Sequence, residues 1–308
     1  MDLFNYTYNL VRQIPKGKVS TYGAVAKALG DSIAARAVGR MMNQNPDPDN
    51  MPCFKIVYSD GKLGGFGLGI DDKIRRLDED NIKVSDGSII DFKNVFFDDF
   101  KTNYPLKALI DEQLKLRKQI KLEDQFGEIE TVAGVDVAYP KNEFEDCCGA
   151  CVVFDYKTKE IIEEKTVFTK THFPYISTYL SFREYPVIEK VVKNLKNTPS
   201  ILMVDGNGVL HPRGVGIASY TGVLLDLPTI GIAKKLLKGS VTGEDVIFNG
   251  KKIGNAFKSS SKIKKPIYVS PGNKISFNTV LKVVKHFSKY KLPEPIRQAH
   301  ILATSGIR

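Results

Sequence analysis

The clearest pattern of hydrophobic positions is a pair of short apolar runs that each carry an aspartate. Residues 201–204 are apolar and are followed at once by Asp205 and a Gly-Asn-Gly turn, and residues 131–138 form a second run with Asp136 in its interior. A continuous apolar run of this length bounded by glycines is typical of a strand buried on both faces. The glycines allow backbone or a ligand to approach closely. A carboxylate at the tip of such a strand lies where α/β sheets usually bind ligands.

The positions around these runs predict the other elements of the second half of the chain. The predicted strands cover residues 131–138, 149–154, 161–168, 201–204, 229–233 and 262–270, and the predicted helices cover residues 106–119, 177–195, 214–225 and 278–290. Three strands, a helix, a strand, a helix and a strand, in this order, are typical of an RNase H-like domain. The pattern therefore predicts an α/β fold with a mixed sheet.

The beginning of the chain predicts helices instead. Apolar residues recur at helical spacing over residues 3–14, and Ser20 or Thr21 can cap a second helix that ends near residue 29. A third helix is predicted over residues 33–45. Two short helices around a tight turn, the second of which carries basic residues, indicate a helix-turn-helix.

These patterns divide the chain into two domains. We expect a mainly α-helical, winged-helix-like helix-turn-helix domain over residues 1–92, a short linker over residues 93–104, and the α/β domain over residues 105–308. The linker contains neither a helical nor a strand period and lacks Gly/Ser-rich sequence, so we expect it to pack rather than to act as a flexible tether.

Composition restricts the class of protein. The 308 residues are 42% hydrophobic and carry a net charge of +10, which favours a polyanionic partner. No signal-peptide pattern and no apolar run of membrane length are present, so we expect a cytoplasmic protein without a membrane partner. We also expect a monomer. Cys147, Cys148 and Cys151 lie close together, but no fourth zinc ligand follows at a suitable spacing, and we expect buried structural thiols.

Several separated motifs in the second half carry a family resemblance. Besides the runs with Asp136 and Asp205, they are Pro174-Tyr175-Ile176-Ser177, Leu180-Ser181-Phe182-Arg183-Glu184, Gly216-Ile217-Ala218-Ser219, Pro228-Thr229-Ile230-Gly231-Ile232-Ala233-Lys234 and Pro293-Glu294-Pro295-Ile296-Arg297-Gln298-Ala299-His300. From about Leu106 onward this ordered set resembles endonuclease V, a family of nucleases that act on deaminated adenine.

The resemblance implies a metal-dependent nuclease. Clustered carboxylates that hold Mg²⁺ can activate water and relieve charge on phosphate oxygens, and Mn²⁺ can substitute. The implied metal ligands are Asp136, Glu184 and Asp205. The other implied site residues are His300 beside the metal, Lys234 at the scissile phosphate, Tyr175 as a strand-separating wedge and His211 at the base pocket. In this family the incision falls at the second phosphodiester bond on the 3′ side of deoxyinosine.

A second resemblance covers about Met1 to Val84. Its motifs are Pro15-Lys16-Gly17-Lys18-Val19, Thr21-Tyr22-Gly23, Ala35-Arg36-Ala37-Val38-Gly39-Arg40, Asn45-Pro46, Pro52-Cys53 and Gly64-Gly65. This set resembles the DNA-binding domain of O6-alkylguanine-DNA alkyltransferases, in which a cysteine accepts an alkyl group from a flipped guanine once per molecule. The resemblance implies Cys53 as acceptor. It also implies that Tyr22 pushes on the phosphate, Arg36 fills the gap left by the base and Asn45 orients the site.

The residues after the cysteine depart from the family pattern. The family has His-Arg where this chain has Phe54 and Lys55, and its Glu-Gly is matched by Asp80-Asn81. A free thiol is only a few per cent thiolate at neutral pH, so the missing imidazole matters. The sequence therefore predicts a bifunctional repair protein acting on DNA with deoxyinosine and O6-alkylguanine. Two alternatives stay open: the first domain is a non-catalytic lesion sensor that recruits the nuclease, or the nuclease acts mainly on inosine in RNA.

Overall fold

The computed structural model describes residues 1–141 and 145–307, which form two compact units. The first contains Met1–Asp111 together with His172–Ser177, and the second contains Glu112–Thr171 and the described residues from Thr178 onward. The predicted limits of the two domains and of the linker between them stay a prediction. In the described residues, no helix is long and apolar enough to cross a membrane.

The first unit is mainly helical. Its helices and two-residue strands are α1 (Leu3–Val11), β1 (Ser20–Thr21), α2 (Tyr22–Leu29), α3 (Ala35–Asn43), β2 (Ile56–Val57), α4 (Ile70–Glu79), β3 (Val84–Ser85), β4 (Ser88–Ile89) and α5 (Phe92–Val95). Strand β1 pairs with β2 in parallel, and β3 pairs with β4 in antiparallel orientation. Helix α6 (Pro105–Arg117) contains the residue at which this unit ends.

The helix-turn-helix begins and ends with local signals. The Thr21 hydroxyl accepts a hydrogen bond from the Ala24 amide at 3.0 Å, and Gly30 closes α2 in the left-handed region with φ of 108°. Both ends of this helix confirm the prediction. The third helix was predicted too long, because residues 32–34 form a 3-10 turn and α3 ends at residue 43. Pro46 restricts Asn45 to non-helical backbone, which explains the earlier end.

The second unit is built on one nine-stranded mixed sheet. Its strands are β5 (Thr131–Ala138), β6 (Cys147–Asp155), β7 (Ile161–Thr169), β8 (Ile201–Asp205), β9 (Thr229–Ala233), β10 (Ser240–Thr242), β11 (Asp245–Phe248), β12 (Lys251–Phe257) and β13 (Ile267–Asn273). Its remaining helices are α7 (Leu180–Lys193), α8 (Ile217–Leu224), α9 (Phe277–Phe287) and α10 (Glu294–Ser305). The strand order is β10-β11-β12-β13-β9-β8-β5-β6-β7, with β8 parallel to both β5 and β9.

Both faces of the central strands β5, β6, β8 and β9 are buried. Val132 and Met203 pack with α9 and α10 on one face, while the alternate residues Val135 and Val204 pack with α7 and α8 on the other. Successive side chains of a strand point to opposite faces, so this arrangement confirms that the two apolar runs are central strands. The predicted element order from β5 to β9 is confirmed as well.

Three features of the second unit correct the sequence-based assignment. The late strand begins at Ile267 rather than at residue 262, because Pro266 precedes it and the lysines before it stay outside the sheet. The strands β10, β11 and β12 were not predicted, since β10 and β11 are short and β12 begins with two lysines instead of a continuous apolar run. The helix at residues 278–290 is followed by a further helix, α10, which was not predicted; the prolines in its first turn are tolerated there.

Candidate functional site

The nuclease-like site lies where the two aspartates of the neighbouring strands β5 and β8 meet. Val135 pairs with Val204 in the parallel register, which sets Asp136 beside Asp205. Both aspartates alternate with the residues that face α7, so they lie on the face covered by α10. Helix α10 passes very close to β5: a Cβ on Gly134 would lie 2.1 Å from the Pro295 carbonyl oxygen. Only glycine permits this approach, which brings His300 of α10 to the aspartates.

Two aspartates and a histidine form the core of this site. One ligand atom from each of Asp136, Asp205 and His300 lies within 4.8 Å of the others. The Nδ1 atom of His300 is 2.6 Å from Oδ2 of Asp136, whose Oδ1 accepts a hydrogen bond from the Val137 amide at 2.8 Å. Lys234, which follows β9, donates from Nζ to Oδ2 of Asp205 at 2.6 Å. The structure therefore brings four of the predicted site residues together.

Glu184 approaches the same site from a different direction. It belongs to α7, which packs on the opposite face of the sheet, and it is not part of the cluster formed by Asp136, Asp205 and His300. Its carboxyl nevertheless interacts electrostatically with both aspartates. The assignment of Glu184 as a third metal ligand stays a prediction.

Burial and like charge shift the pKa values at this site. Burial, followed by the charge of Asp205, raises the pKa of Asp136, although its contact with His300 acts in the opposite direction. Burial, and then the charges of Asp136 and Asp205, raise the pKa of Glu184 well above its usual range. Burial opposes the charge of Lys234, but Asp205 outweighs it and raises the pKa of the ammonium. The carboxylates therefore lie in surroundings that a bound cation would relieve.

The predicted acceptor thiol lies in the first unit in a 3-10 turn of residues 53–55. Cys53 is buried, and the side-chain amide of Asn45 donates to its Sγ at 3.0 Å while also donating to the Met51 carbonyl oxygen at 2.8 Å. Burial raises the pKa of the Cys53 thiol, although Asn45 and the charges of Lys73 and Arg76 act in the opposite direction. Asn45 thus contacts the sulfur directly.

The residues that replace the family's relay serve structural roles. Phe54 packs against an apolar cluster that includes Val19 and Leu77. The Nζ of Lys55 lies 2.9 Å from Oδ2 of Asp80, and it also donates to the Pro15 carbonyl oxygen at 2.9 Å. The charge of Lys55 is therefore balanced by Asp80. The cations that act on Cys53 are Lys73 and Arg76 instead.

The other predicted DNA-binding residues of this unit line cavities. Tyr22, Arg36 and Tyr58 line one of about 540 Å³, in which the two tyrosine rings lie 5.5 Å apart between centroids. Cys53 is not among its lining residues. Arg36 and Tyr175, the latter half exposed, also line a second cavity of about 490 Å³ within this unit. The DNA-binding roles of these residues stay predictions.

His211 is held by backbone groups in the second unit. Its Nε2 lies 3.2 Å from the Thr178 carbonyl oxygen, and its Nδ1 accepts from the Arg213 amide at 3.3 Å. Burial, followed by the charge of Arg213, lowers the pKa of His211 to about 3. The ring is therefore neutral, and both of its nitrogens have protein partners, while its predicted place at the base pocket stays a prediction.

The three clustered cysteines are buried, as predicted. Cys147, Cys148 and Cys151 all lie in β6 and are fully buried free thiols. Burial raises the pKa of Cys147 to about 11 and that of Cys151 to about 12. Among the described residues, the one group with suitable metal-ligand geometry contains none of them.

Sequence analysis missed one residue near Cys53. Lys73 of α4 is fully buried, although lysine is usually a surface residue. Its position four residues before Leu77, which is also fully buried, places both on the same face of the helix. That spacing is the signal that could have indicated an inward-facing lysine.

Comparisons with known proteins extend over both units. The family model of endonuclease V matches residues 114–301, and the model of the DNA-binding domain of 6-O-methylguanine DNA methyltransferase matches residues 2–82. A Picrophilus torridus protein named bifunctional methyltransferase/endonuclease is 41% identical over 300 residues, which cover 97% of this chain and 95% of the relative. A Nanoarchaeum equitans protein named bifunctional methyltransferase-like/endonuclease is 33% identical over 304 residues, which cover 99% and 91%.

The fold of the second unit is shared with a solved nuclease. A crystal structure of Ciona intestinalis endonuclease V, in complex with DNA that contains an inosine followed by a ribo-adenosine, matches with a TM-score of 0.63 and 30% identity. The match covers 67% of this chain and 98% of the Ciona chain. The chain therefore belongs to the endonuclease V family and, over nearly its whole length, to the family of bifunctional methyltransferase/endonuclease proteins.

Proposed function

We propose that this protein carries two DNA repair activities. The second unit is a Mg²⁺-dependent endonuclease, for which Mn²⁺ can substitute, and it nicks DNA at the second phosphodiester bond on the 3′ side of deoxyinosine. The first unit transfers an alkyl group from O6-alkylguanine to Cys53 once per molecule. The observation that supports the nuclease best is the cluster of Asp136, Asp205 and His300 on one face of a buried sheet.

The donor set of this cluster fits a hard divalent cation. Carboxylate oxygens from neighbouring strands are the ligands that Mg²⁺ prefers, and we propose that Asp136 and Asp205 hold it with help from Glu184. A bound divalent ion would supply charge neutralisation on phosphate oxygens and a more acidic water. The contact between Asp136 and His300 fixes the imidazole beside the site, and Lys234 carries a positive charge at its edge for the scissile phosphate.

For the first unit, the chemistry needs a sulfur anion close to a flipped base. The cavity of about 540 Å³ beside Tyr22 and Arg36, with the exposed Tyr58 on its lining, is large enough for a base, while Cys53 lies outside its lining. The Cys53 thiolate would attack the alkyl carbon, so that a sulfur–carbon bond forms and the carbon–oxygen bond breaks. The electron pair stays on guanine O6, and guanine takes a proton from water. The thioether is not cleaved afterwards, which limits the protein to one turnover.

The fold type of each unit, the localisation and the oligomeric state are assigned as follows. We propose that the sheet of the second unit is RNase H-like and that the helices of the first unit form a winged-helix-like domain. Localisation in the cytoplasm and a monomeric state are further parts of the proposal. Damaged DNA is the proposed partner of both units, since the net charge of +10 favours a polyanion.

A lesion sensor is the second candidate function for the first unit. It is favoured by the packing of Phe54 at the position of the family's histidine and by the pairing of Asp80 with Lys55. The name of the Nanoarchaeum relative, methyltransferase-like, is consistent with this alternative. A sensor would bind O6-alkylguanine DNA without forming a thioether at Cys53.

One experiment tests both activities. The full chain is incubated with duplexes that contain deoxyinosine or O6-methylguanine, and nicking is scored beside methylation of Cys53 by peptide mass spectrometry. We expect nicking of the first duplex with Mg²⁺ or Mn²⁺ and methylation with the second, and Cys53→Ala should lose methylation alone. Absence of nicking with either metal contradicts the nuclease, and absence of transfer even at about pH 9 leaves the sensor. Nicking rates on DNA and RNA strands of the same sequence that contain inosine show which nucleic acid the nuclease prefers.

A further inference from the structure

Lys73 is a buried lysine without a carboxylate partner among the described residues. Its Nζ donates to the carbonyl oxygens of Ile56, at 2.7 Å, and of Gly64, at 3.1 Å, and its side chain is fully buried. Burying an ammonium group is costly unless an opposite charge compensates it. Lys55, the other buried lysine of this unit, has Asp80 for this purpose. Two carbonyl dipoles orient Lys73 but leave its charge uncompensated.

The group that Lys73 acts on is Cys53. The charge of Lys73 lowers the pKa of the Cys53 thiol, and an ionised Cys53 in turn raises the pKa of Lys73, which burial lowers to about 8. The bond to the Ile56 carbonyl anchors the ammonium to the strand that directly follows the turn of residues 53–55. The ammonium of Lys73 is thus held against the backbone of the segment that follows Cys53.

The remaining groups that face Cys53 do not supply a free positive charge. Arg76 is paired with Asp49 and Asp72, at 2.7 and 2.6 Å. Tyr8 and Tyr22 are phenols whose pKa values are raised, by burial first and by a charge on Cys53 in addition. Lys73 is therefore the one uncompensated cation among the described groups that act on the sulfur.

We propose that Lys73 is a positioning residue that replaces the family's imidazole by stabilising the thiolate of Cys53 with its fixed ammonium charge. This inference rests on the proposed alkyl transfer to Cys53. The thiol proton passes to water, and the resulting anion forms an ion pair with Lys73 inside a dry site, where the attraction is stronger than in water. No proton-accepting side chain has to lie beside the sulfur in this scheme. The charge of Lys73 shifts the ionisation equilibrium of the thiol toward the thiolate and does not itself take up the proton. Attack on the alkyl carbon then proceeds with the bond changes given above.

The first test measures the ionisation of Cys53 without any DNA. The full chain reacts with iodoacetamide from about pH 6 to pH 10, and the labelled Cys53 peptide is quantified by mass spectrometry, which separates it from the three buried cysteines of the second unit. We expect Lys73→Met to slow labelling about tenfold at neutral pH and to move the midpoint upward by about one pH unit. Lys73→Arg, which keeps the charge, should keep the wild-type midpoint.

The double variant Lys55→Met with Asp80→Asn is the matched control, since it removes another buried lysine of the same unit together with the carboxylate that balances its charge. It should leave the midpoint of Cys53 labelling unchanged. A structural role for Lys73 would lower thermal stability without moving this midpoint, so an equal midpoint in the wild type and in Lys73→Met overturns the proposal. Methyl transfer from O6-methylguanine DNA should also slow about tenfold in Lys73→Met at neutral pH and recover at about pH 9.5.

A second measurement applies even if Lys73→Met fails to fold. In the wild-type chain, the titration of Lys73 is followed by the carbon shift next to its amine in ¹³C-labelled lysine, and it is compared with that of Cys53→Ala. We expect the Lys73 midpoint to fall when the thiol is removed, because the ion pair can no longer form. An unchanged midpoint contradicts the proposal. Neither measurement needs DNA, so a failure of alkyl transfer itself remains distinguishable from a failure of the role of Lys73.

Discussion

The thiol site of the first unit and the carboxylate site of the second pose opposite electrostatic problems. At Cys53, burial favours the neutral thiol, and the surroundings must stabilise the negative charge of the thiolate. At Asp136 and Glu184, negative charges already crowd together, and burial with mutual repulsion favours their neutral forms. We therefore propose that the first site uses a fixed internal cation, whereas the second takes up a metal ion from solution. In the proposed functions, alkyl transfer to Cys53 occurs once per molecule, whereas the endonuclease site can act repeatedly.

The largest expected effect is a loss of nicking that leaves methylation of Cys53 unchanged. Asp136→Asn or Asp205→Asn should slow nicking of deoxyinosine duplex roughly a thousandfold, because loss of one ligand charge costs several kcal/mol of transition-state stabilisation. Methylation of Cys53 should be unchanged in both variants. Single-turnover nicking at saturating Mg²⁺ is the measurement, and binding of the duplex is followed by fluorescence anisotropy.

Asp226→Asn is the matched control for these variants. Asp226 lies in the same unit in left-handed backbone with φ of 55°, which asparagine adopts readily, and its ion pair with Lys274 is at the surface. It should nick at the wild-type rate. Nicking by Asp136→Asn or Asp205→Asn within tenfold of the control would contradict the metal site.

The next largest effect is on the pH dependence of stability. The buried groups differ in the direction in which their pKa values are shifted. Asp136 and Glu184 have raised pKa values in the folded state, so protonation on mild acidification relieves their repulsion. His211 behaves oppositely: its pKa is depressed to about 3, so its contribution is complete above about pH 6.5 and is lost as the pH falls toward 3. At pH 5 the loss should be about 2 kcal/mol of unfolding free energy.

His211→Gln tests this assignment, because an amide can still donate to the Thr178 carbonyl but does not titrate. Urea midpoints of the second unit at about pH 7 and pH 5 should differ much less in this variant than in the wild type. His172→Gln, at an exposed histidine, is the control and should retain the wild-type difference. An equal acid sensitivity in His211→Gln would assign the loss to other groups.

Sequence patterns were sufficient for the central strands of the sheet but not for the strands β10, β11 and β12 or for the helix α10 that covers the site. The meeting of Asp136 and Asp205 was predictable, because period-two alternation and two buried runs determine which side chains share a face. Helix α10 was not, because prolines at its first turn suggest a loop, yet it brings His300 to the site. Predicting α10 would have required knowing that Gly134 leaves room for the Pro295 backbone.

The thiol site was predictable only in its motif residues. Cys53 and Asn45 were implied by the resemblance to the alkyltransferase family, and the structure places them in contact. The pairing of Lys55 with Asp80 and the burial of Lys73 depend on residues that are distant in sequence, and a lysine on a helix is normally assigned to solvent. Charge balance in a buried site is a property of the whole fold and does not follow from local spacing.

A smaller effect is expected at Tyr175, which belongs to neither charge cluster. If its ring separates the strands, Tyr175→Ala should lose stacking worth about 1–3 kcal/mol, which corresponds to roughly tenfold weaker incision of deoxyinosine in duplex DNA. Incision of single-stranded DNA should change little, since no strand needs to be separated. Tyr175→Phe keeps the ring and serves as control. An equal loss on duplex and single strands would argue against a wedge.

The smallest expected effect returns to the thiol site, at the position where the family has histidine. Restoring the imidazole with Phe54→His should change methyl transfer by less than about threefold, because the carboxylate that would orient it is already engaged. Oδ2 of Asp80 accepts from the Gly17 amide at 3.1 Å and pairs with Lys55. The new ring would also enter the apolar surroundings of Phe54, where burial favours its neutral form.

Two further variants make this prediction decisive. Phe54→Leu controls for the loss of the aromatic ring and should transfer at a rate close to that of Phe54→His. The double variant Phe54→His with Lys55→Met frees Asp80, so it should transfer faster than either single variant if a histidine–carboxylate pair can form at all. The measurement is single-turnover transfer of a labelled methyl group from duplex DNA across pH. Acceleration of more than about tenfold by Phe54→His alone would mean that proton removal, rather than stabilisation of the thiolate charge, limits this site. Lys73 would then not have replaced the imidazole, and the reactivity of Cys53 would not depend on a fixed internal cation.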